Sequence, residues 1–206
     1  MREISDHWAQ KAKKEGYPAR SVYKLKEIEE KFGILPRSGR VLDVGAAPGS
    51  WTQFVLRTRG KQCTVVAVDL SPLAIGTGPD NKKTAGIWPE NLVFYQGDIT
   101  DADTIAFLET KGPYDAVISD AAPSTTGNRS VDTARSEALV ENALELARKF
   151  LKPGGSCVVK IFQGSSQKEI LECMKKMFSA VKAFKPKACR SESFETYFIG
   201  KNKIAP

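Results

Sequence analysis

Lys160 stands inside VVKIF, residues 158–162, where every neighbour is apolar. A lysine in a central strand is costly out of water unless it is paired, so a buried carboxylate is expected against it. Asp120, closing the run YDAVISD, could be that partner. An amine held by an acid is a candidate for proton transfer. Desolvation or a second cation lowers a lysine pKa and makes it a base, whereas a neighbouring carboxylate works the other way. Three more acids stand in or at the ends of apolar runs: Asp43 in VLDVG, Asp69 in CTVVAVDL and Asp98 in LVFYQGD. A carboxylate at Asp69 can accept two hydrogen bonds from a ribose diol, or can simply cap the turn after a strand. Asp98 can accept from an adenine amino group, serve as N-cap of the next helix, or do both.

Between Asp43 and the following helix runs GAAPGSW, with Gly45, Ala46, Pro48, Gly49 and Trp51. Glycines there allow a tight turn and close approach of backbone to a ligand. The dinucleotide fingerprint G-x-G-x-x-G is broken by Ala47 and Pro48, and no G-K-[ST] phosphate loop follows. Sites for adenine and ribose beside a close turn, without a pyrophosphate motif, suggest S-adenosylmethionine. On that reading Gly45, Ala46, Pro48, Gly49, Trp51, Asp69, Leu70, Asp98, Ile99 and Asp120 form its binding set, with Trp51 as a wall.

These residues need elements to hold them. Strand-like runs alternate with helical ones: VLDVG, a helix over 50–59, CTVVAVDL, LVFYQGD, a helix over 100–109, YDAVISD, a helix over 131–151, SCVVKIF and a helix over 167–178. The helix over 131–151 places Ala138, Leu139, Ala143, Leu146, Ala147 and Phe150 on its apolar side, and Pro153-Gly154-Gly155 breaks it. AVKAF and FETYFIG close the chain as two strands without a helix between them. The alternation predicts an α/β fold of Rossmann-like type. It is a mostly parallel seven-stranded sheet with helices on both faces and an antiparallel C-terminal hairpin at one edge. In such a sheet ligands bind beyond the carboxyl ends of the strands, where these acids stand. Two helices come first: a weaker one over 6–15 and one over 19–32, with Val22, Leu25, Ile28 and Phe32 at helical spacing, Ser21 as cap and Gly33 as stop. Residues 72–90, rich in Gly and Pro, form a loop, either a lid over the site or a plain surface connection.

The length of 206 residues fits one domain, 1–206, read as an N-terminal helical RNA-binding extension (1–36) on a catalytic core (37–206). At 41% hydrophobic and 27% charged residues the chain is too apolar for a disordered one. No apolar run approaches the ~20 residues of a membrane span, and the N-terminus lacks a signal core, so the cytoplasm is expected. The four cysteines form no C-x-x-C pair, which argues against zinc; Cys63 and Cys157 read as small buried hydrophobes. The net charge of +7 is unevenly placed. Lys11, Lys13, Lys14, Arg20, Lys24 and Lys26 crowd one end; Lys175, Lys176, Lys182, Lys185, Lys187 and Arg190 crowd the other. If the ends meet, they make one polyanion-binding face.

DVGAAPGSW, VDLSP, GDIT, SDAAPS and VKIFQG resemble, in order, the motifs of the FtsJ/RlmE family of S-adenosylmethionine-dependent RNA 2′-O-ribose methyltransferases. RSVYKLKEI and SFETYFIG resemble its flanking motifs, so the likeness runs from about Arg20 to Gly200. Two positions depart from the pattern: Ser50 where a glycine is usual, and Ala121 where Met is common. The resemblance implies a catalytic tetrad of Lys24, Asp120, Lys160 and Glu195. Taken alone, Lys24 reads as a solvated helix residue and Glu195 as a surface acid. It also implies S-adenosylmethionine as cofactor and, as target, a uridine of large-subunit ribosomal RNA, free or within the subunit itself; no metal is expected, since the leaving group is a neutral thioether. A monomer with no membrane partner is expected. Transfer to a tRNA anticodon loop, a nicotinamide-dependent oxidoreductase and a non-catalytic RNA-binding module are the alternatives kept open.

Overall fold

The computed structural model describes residues 2–75, 88–124, 126–164, 166–190 and 193–205, with side chains from His7 onward. Two helices, α1 (Arg2–Lys14) and α2 (Val22–Phe32), precede β1 (Gly39–Val44). Then follow α3 (Ser50–Arg59), β2 (Cys63–Asp69), β3 (Leu92–Gln96), α4 (Ala102–Lys111), β4 (Tyr114–Ser119), α5 (Arg129–Phe150), β5 (Leu151–Phe162), α6 (Gln167–Met177), β6 (Phe178–Phe184) and β7 (Glu195–Lys203). One seven-stranded sheet runs in the order β3-β2-β1-β4-β5-β7-β6. Strands β1 to β5 are mutually parallel, and β7 runs antiparallel to both its neighbours. The order reverses between β1 and β4, which makes that pair of strand ends the switch point where such sheets bind ligands.

The central strands are buried on both faces, as their near-continuous apolar sequences require. Alternate side chains feed two cores. Val41, Val65, Ala116, Val158 and Tyr197 pack on one face with Leu25, Ile28 and Val55 of α2 and α3. Leu42, Val66, Val117, Val159 and Phe198 pack on the other with Leu108, Leu144 and Met174 of α4, α5 and α6. Cys63 and Cys157 are fully buried in these cores. Helix α2 ends where expected: Gly33 takes a φ of 58° and its N–H bonds the Glu29 carbonyl at 2.8 Å.

Several expectations need correction. Ser21 sits at the start of α2 but makes no capping bond through its side chain. Helix α5 begins two residues earlier than its apolar pattern suggested, at Arg129, because the Asn128 side chain accepts from the Ser130 and Val131 N–H groups. In its first turns the buried positions are polar, Asp132, Thr133 and Ser136; Ala138 is exposed and Leu139 only half-buried. Pro153-Gly154-Gly155 does not lie in a break before a strand but within β5, at an irregularity in its pairing with β4. The last two strands do pair antiparallel at the sheet edge, as expected, but are joined by more than a turn. Residues 185–194 join them, and β7 slots between β5 and the edge strand β6. Of the loop expected over 72–90, residues 76–87 lie outside the described residues, so the lid reading falls there.

Candidate active site

The turn after β1 explains its glycines. Gly45 takes a φ of 70°, and a Cβ there would lie 2.5 Å from Ala121 Cβ, so only glycine lets the ends of β1 and β4 come this close. The N–H groups of Gly45 and Ala46 both bond the Val68 carbonyl, at 2.9 and 3.1 Å. Gly49, with φ 109°, has its missing Cβ position 2.4 Å from Ile75 Cγ1; this glycine lets the loop after β2 pack on the start of α3. Asp69 ties the two loops together. Its Oδ2 accepts the Ala47 N–H at 2.9 Å and its Oδ1 accepts the Ser71 N–H at 2.7 Å. Each oxygen keeps a further lone pair, so capping the turns leaves Asp69 able to accept from a ligand.

A cleft of about 380 Å³ opens beyond these strand ends, lined by Gly45, Asp69, Leu70, Asp98, Ile99 and Asp120 among others. Asp98 accepts from the Thr100 N–H and hydroxyl through Oδ1 alone, which holds its pKa below the usual carboxylate range. It is not the helix cap: α4 starts after Asp101. The cleft thus pairs apolar walls (Val44, Val68, Ile99, Leu139) with two separately positioned carboxylates. That set of groups fits the chemistry of S-adenosylmethionine: apolar side chains to lie against an adenine, and carboxylates at Asp98 and Asp69 that can accept from an amino group and a diol.

The rest of the expected binding set is arranged differently. Ala46, Pro48 and Trp51 border a much smaller recess behind the turn, together with Asp43 and Asp120, and Gly49 borders neither space. Trp51 is no open wall of the cleft: it is buried to 2% exposure and packs against Tyr197 with ring centroids 5.9 Å apart. Its Nε1 donates to the Ser21 carbonyl at 2.9 Å. Ser50, the departure from the family pattern, is used in the same way; its Oγ accepts the Ala19 N–H at 2.8 Å and donates to the Ala19 carbonyl at 3.1 Å. Both side chains fasten the segment before α2 to the turn. Ala47, Gly97, Ala121 and Leu139 line the cleft and were not singled out from the sequence, since small and apolar residues carry no chemical signal of their own.

Four distant side chains converge beside the cleft. Lys160 Nζ lies 3.1 Å from Asp120 Oδ1 and also donates to the Asp120 carbonyl. Lys24 Nζ donates to Glu195 Oε2 at 2.9 Å and lies 3.9 Å from Asp120 Oδ1. Lys24, Lys160 and Glu195 are buried and Asp120 is half-buried. The positions follow from the sheet: Lys160 sits opposite Tyr197, and Phe162 opposite Glu195, in the β5–β7 register. Opposed residues share a face, so Lys160 and Glu195 both point towards α2, which brings Lys24. Burial pushes the Asp120 pKa up, but Lys160, then Lys24, and the Tyr197 hydroxyl more than offset it, leaving it below the ordinary value. Burial pushes the Lys24 amine down, and the Asp120 and Glu195 carboxylates outweigh that, so it is held as an ammonium.

Two buried residues adjoin this cluster: Tyr197, which carries no signal of its own in the sequence, and Asp43, one of the acids expected at the strand ends. Tyr197 donates its hydroxyl to Asp120 Oδ1 at 2.6 Å, and its own pKa is raised by burial and then by the facing carboxylates. FETY contains it two positions beyond Glu195, hence on the same strand face, but only the β5–β7 register shows that it lies opposite Lys160. Asp43 is buried behind the turn, where Thr52 Oγ1 donates to it at 2.5 Å. Burial pushes its pKa up to about 7, and Asp120 and Asp69 add to the rise against the Thr52 hydrogen bond.

The two basic ends do meet in part. Arg20 Nη2 donates to the Ala188 carbonyl at 2.8 Å, and Glu27 on α2 accepts the N–H groups of Lys187 and Ala188, both at 2.8 Å. Lys31 lies over the Phe184 ring at 4.3 Å. Lys175 and Lys176 do not join them: they lie on α6, which packs on the opposite face of the sheet, and Lys175 pairs with Glu172 at 2.7 Å.

A family model described as FtsJ-like methyltransferase matches residues 17–203. The sequence is 54% identical over 195 residues to "Ribosomal RNA large subunit methyltransferase E" of Treponema denticola, covering 95% of this chain and 93% of that protein. It is 47% identical over 198 residues to the protein of the same name from Syntrophobacter fumaroxidans, covering 96% and 95%. Among solved structures, a Plasmodium falciparum protein assigned as a ribosomal RNA methyltransferase superposes with a TM-score of 0.77 at 26% identity, over 92% of this chain and all of that one. Human methyltransferase-like protein 13 shares the fold, with a TM-score of 0.54 at 18% identity over 81% and 72% of the two chains.

Proposed function

The chain belongs to the FtsJ-like methyltransferase family, and from that membership we propose that it methylates the 2′-hydroxyl of a ribose, that of a uridine, in large-subunit ribosomal RNA, with S-adenosylmethionine as cofactor. The observation that carries the reading is the buried contact of Lys160 with Asp120 at the edge of the cleft. Bound in the cleft, the cofactor supplies an electrophilic methyl group whose leaving group is a neutral thioether. Gly45, Asp69, Asp98 and Ile99, which line the cleft, would hold it there.

The protein's own task is to make a poor nucleophile reactive. A ribose hydroxyl keeps its proton at neutral pH, so a base must face it as it attacks. Lys160 takes that role. Its contacts to the Asp120 side chain and main chain fix the direction of Nζ, and Asp120 stabilises the ammonium that forms when the proton arrives. Tyr197 holds Asp120 Oδ1 in place from the other side. Lys24, anchored by Glu195, keeps a positive charge near Asp120 throughout and helps to hold that carboxylate ionised. Fixing oxygen and methyl carbon in line supplies much of the remaining acceleration.

The contact between α2 and the segment around Lys187 supports a polyanion-binding face next to the site. All four tetrad side chains come from one chain, which supports action as a monomer, and a ribosomal RNA substrate supports a cytoplasmic location. The first helices are then more than an RNA-binding extension, because α2 carries a tetrad lysine. Incubating the enzyme with labelled cofactor and large-subunit RNA from a strain lacking this gene tests the reading. Label should be recovered in a 2′-O-methyluridine and protect the adjoining phosphodiester from alkali; label on a base contradicts it.

A further inference from the structure

At the lip of the site Phe194 immediately precedes Glu195, and its carbonyl accepts the Gln163 N–H at 2.8 Å. Its half-buried ring has two neighbours. Phe162 approaches from the tetrad face, since it lies two positions beyond Lys160 on β5, and the ring centroids are 4.8 Å apart. Arg129, the first residue of α5, places its guanidinium 5.0 Å from the Phe194 centroid. Arg129 is exposed, and among the described residues no carboxylate pairs with it. An exposed planar cation beside an aromatic ring, close to a site that must receive one nucleotide of an RNA, has the chemistry of a base-stacking surface.

We infer that Arg129 and Phe194 form a stacking platform for an unpaired base of the RNA substrate. The inference rests on the RNA methyltransferase reading above and assigns the pair to substrate positioning rather than to proton transfer. A base seated there leaves its ribose turned towards Lys160, while the guanidinium meets the neighbouring phosphate. Stacking tolerates any base, so the platform contributes affinity and orientation and does not choose the sequence.

The test measures methyl transfer to large ribosomal subunits from a strain lacking this gene, with KM for the subunit and kcat determined separately. Phe194→Leu, which keeps bulk but removes the π-face, should raise KM about tenfold, the size of one lost base–aromatic stack, with kcat within about threefold. Phe194→Trp should restore a near-wild-type KM, and Arg129→Gln should raise KM severalfold. Cofactor affinity, measured by calorimetry, should be unchanged in all three. An unchanged KM in Phe194→Leu, or equal losses in the Leu and Trp variants, overturns the platform and leaves a purely structural contact. A wild-type enzyme that labels no RNA marks the failure of the underlying reading instead.

Discussion

Lys24 and Glu195 are 171 positions apart in the chain and 2.9 Å apart in the structure. One comes from the second helix, the other opens the last strand, so the site cannot exist until both ends of the chain have docked. The pair is buried, and removing one partner of a buried pair leaves the other charge uncompensated. Lys24→Met and Glu195→Gln should each destabilise the fold by about 3 kcal/mol. The double variant should lose less than the sum, and urea unfolding of the four proteins gives the coupling directly. Additive losses would mean that the contact carries no energy.

Asp43 predicts an unusual pH dependence. Its pKa in the fold is about 7, above the value of an exposed carboxyl, so the native state binds this proton more tightly than the unfolded one. Its contribution is therefore full below about pH 4 and is lost as pH rises through about 7. Asp43→Asn removes the titration and keeps an acceptor for Thr52. The stability of the variant should gain on the wild type between pH 5 and 8, by an amount on the order of 1–4 kcal/mol. Parallel unfolding curves across that range would rule out a proton on Asp43.

Gly45 is where a side chain cannot go. Alanine there must adopt a φ of 70° and place its Cβ 2.5 Å from that of Ala121. Gly45→Ala should weaken cofactor binding at least tenfold and cost about 2 kcal/mol or more in stability, as an incompatible backbone position does. Calorimetry with S-adenosylmethionine beside a thermal melt checks both.

RNA affinity should fall linearly with salt on logarithmic axes, because phosphate contacts release counterions. Lys14→Ala and Lys187→Ala should each flatten that slope by about one, while Lys175→Ala, on the other face of the sheet, should leave it unchanged. Filter binding between low and physiological salt is sufficient.

What could be read from the residues, and what could not, follows from the range of the forces involved. The helices and the parallel strands show in local periodicity, and Lys160 announces itself because a lysine amid VVKIF has no solvated explanation. Lys24 and Glu195 have no such local signal; each sits in a segment that also reads as a wet surface, and only the family motifs single them out. Tyr197 was missed because its role depends on the register between β5 and β7, which no local pattern encodes. Trp51 was misjudged because proximity to a cofactor turn looks the same as packing under it; its bond to the Ser21 carbonyl decides for packing. The antiparallel pairing of the last two strands is legible, but which of them lies beside β5 is not, because either order satisfies the same local pattern.

The most direct measurement compares wild type with Lys160→Ala in a single turnover at saturating cofactor, on large ribosomal subunits lacking the methyl group. Loss of the base should slow methyl transfer by about 10²–10⁴-fold while the affinity for S-adenosylmethionine stays within a few-fold of wild type. A variant that transfers methyl at close to the wild-type rate would show that the amine facing Asp120 takes no part in activating the sugar.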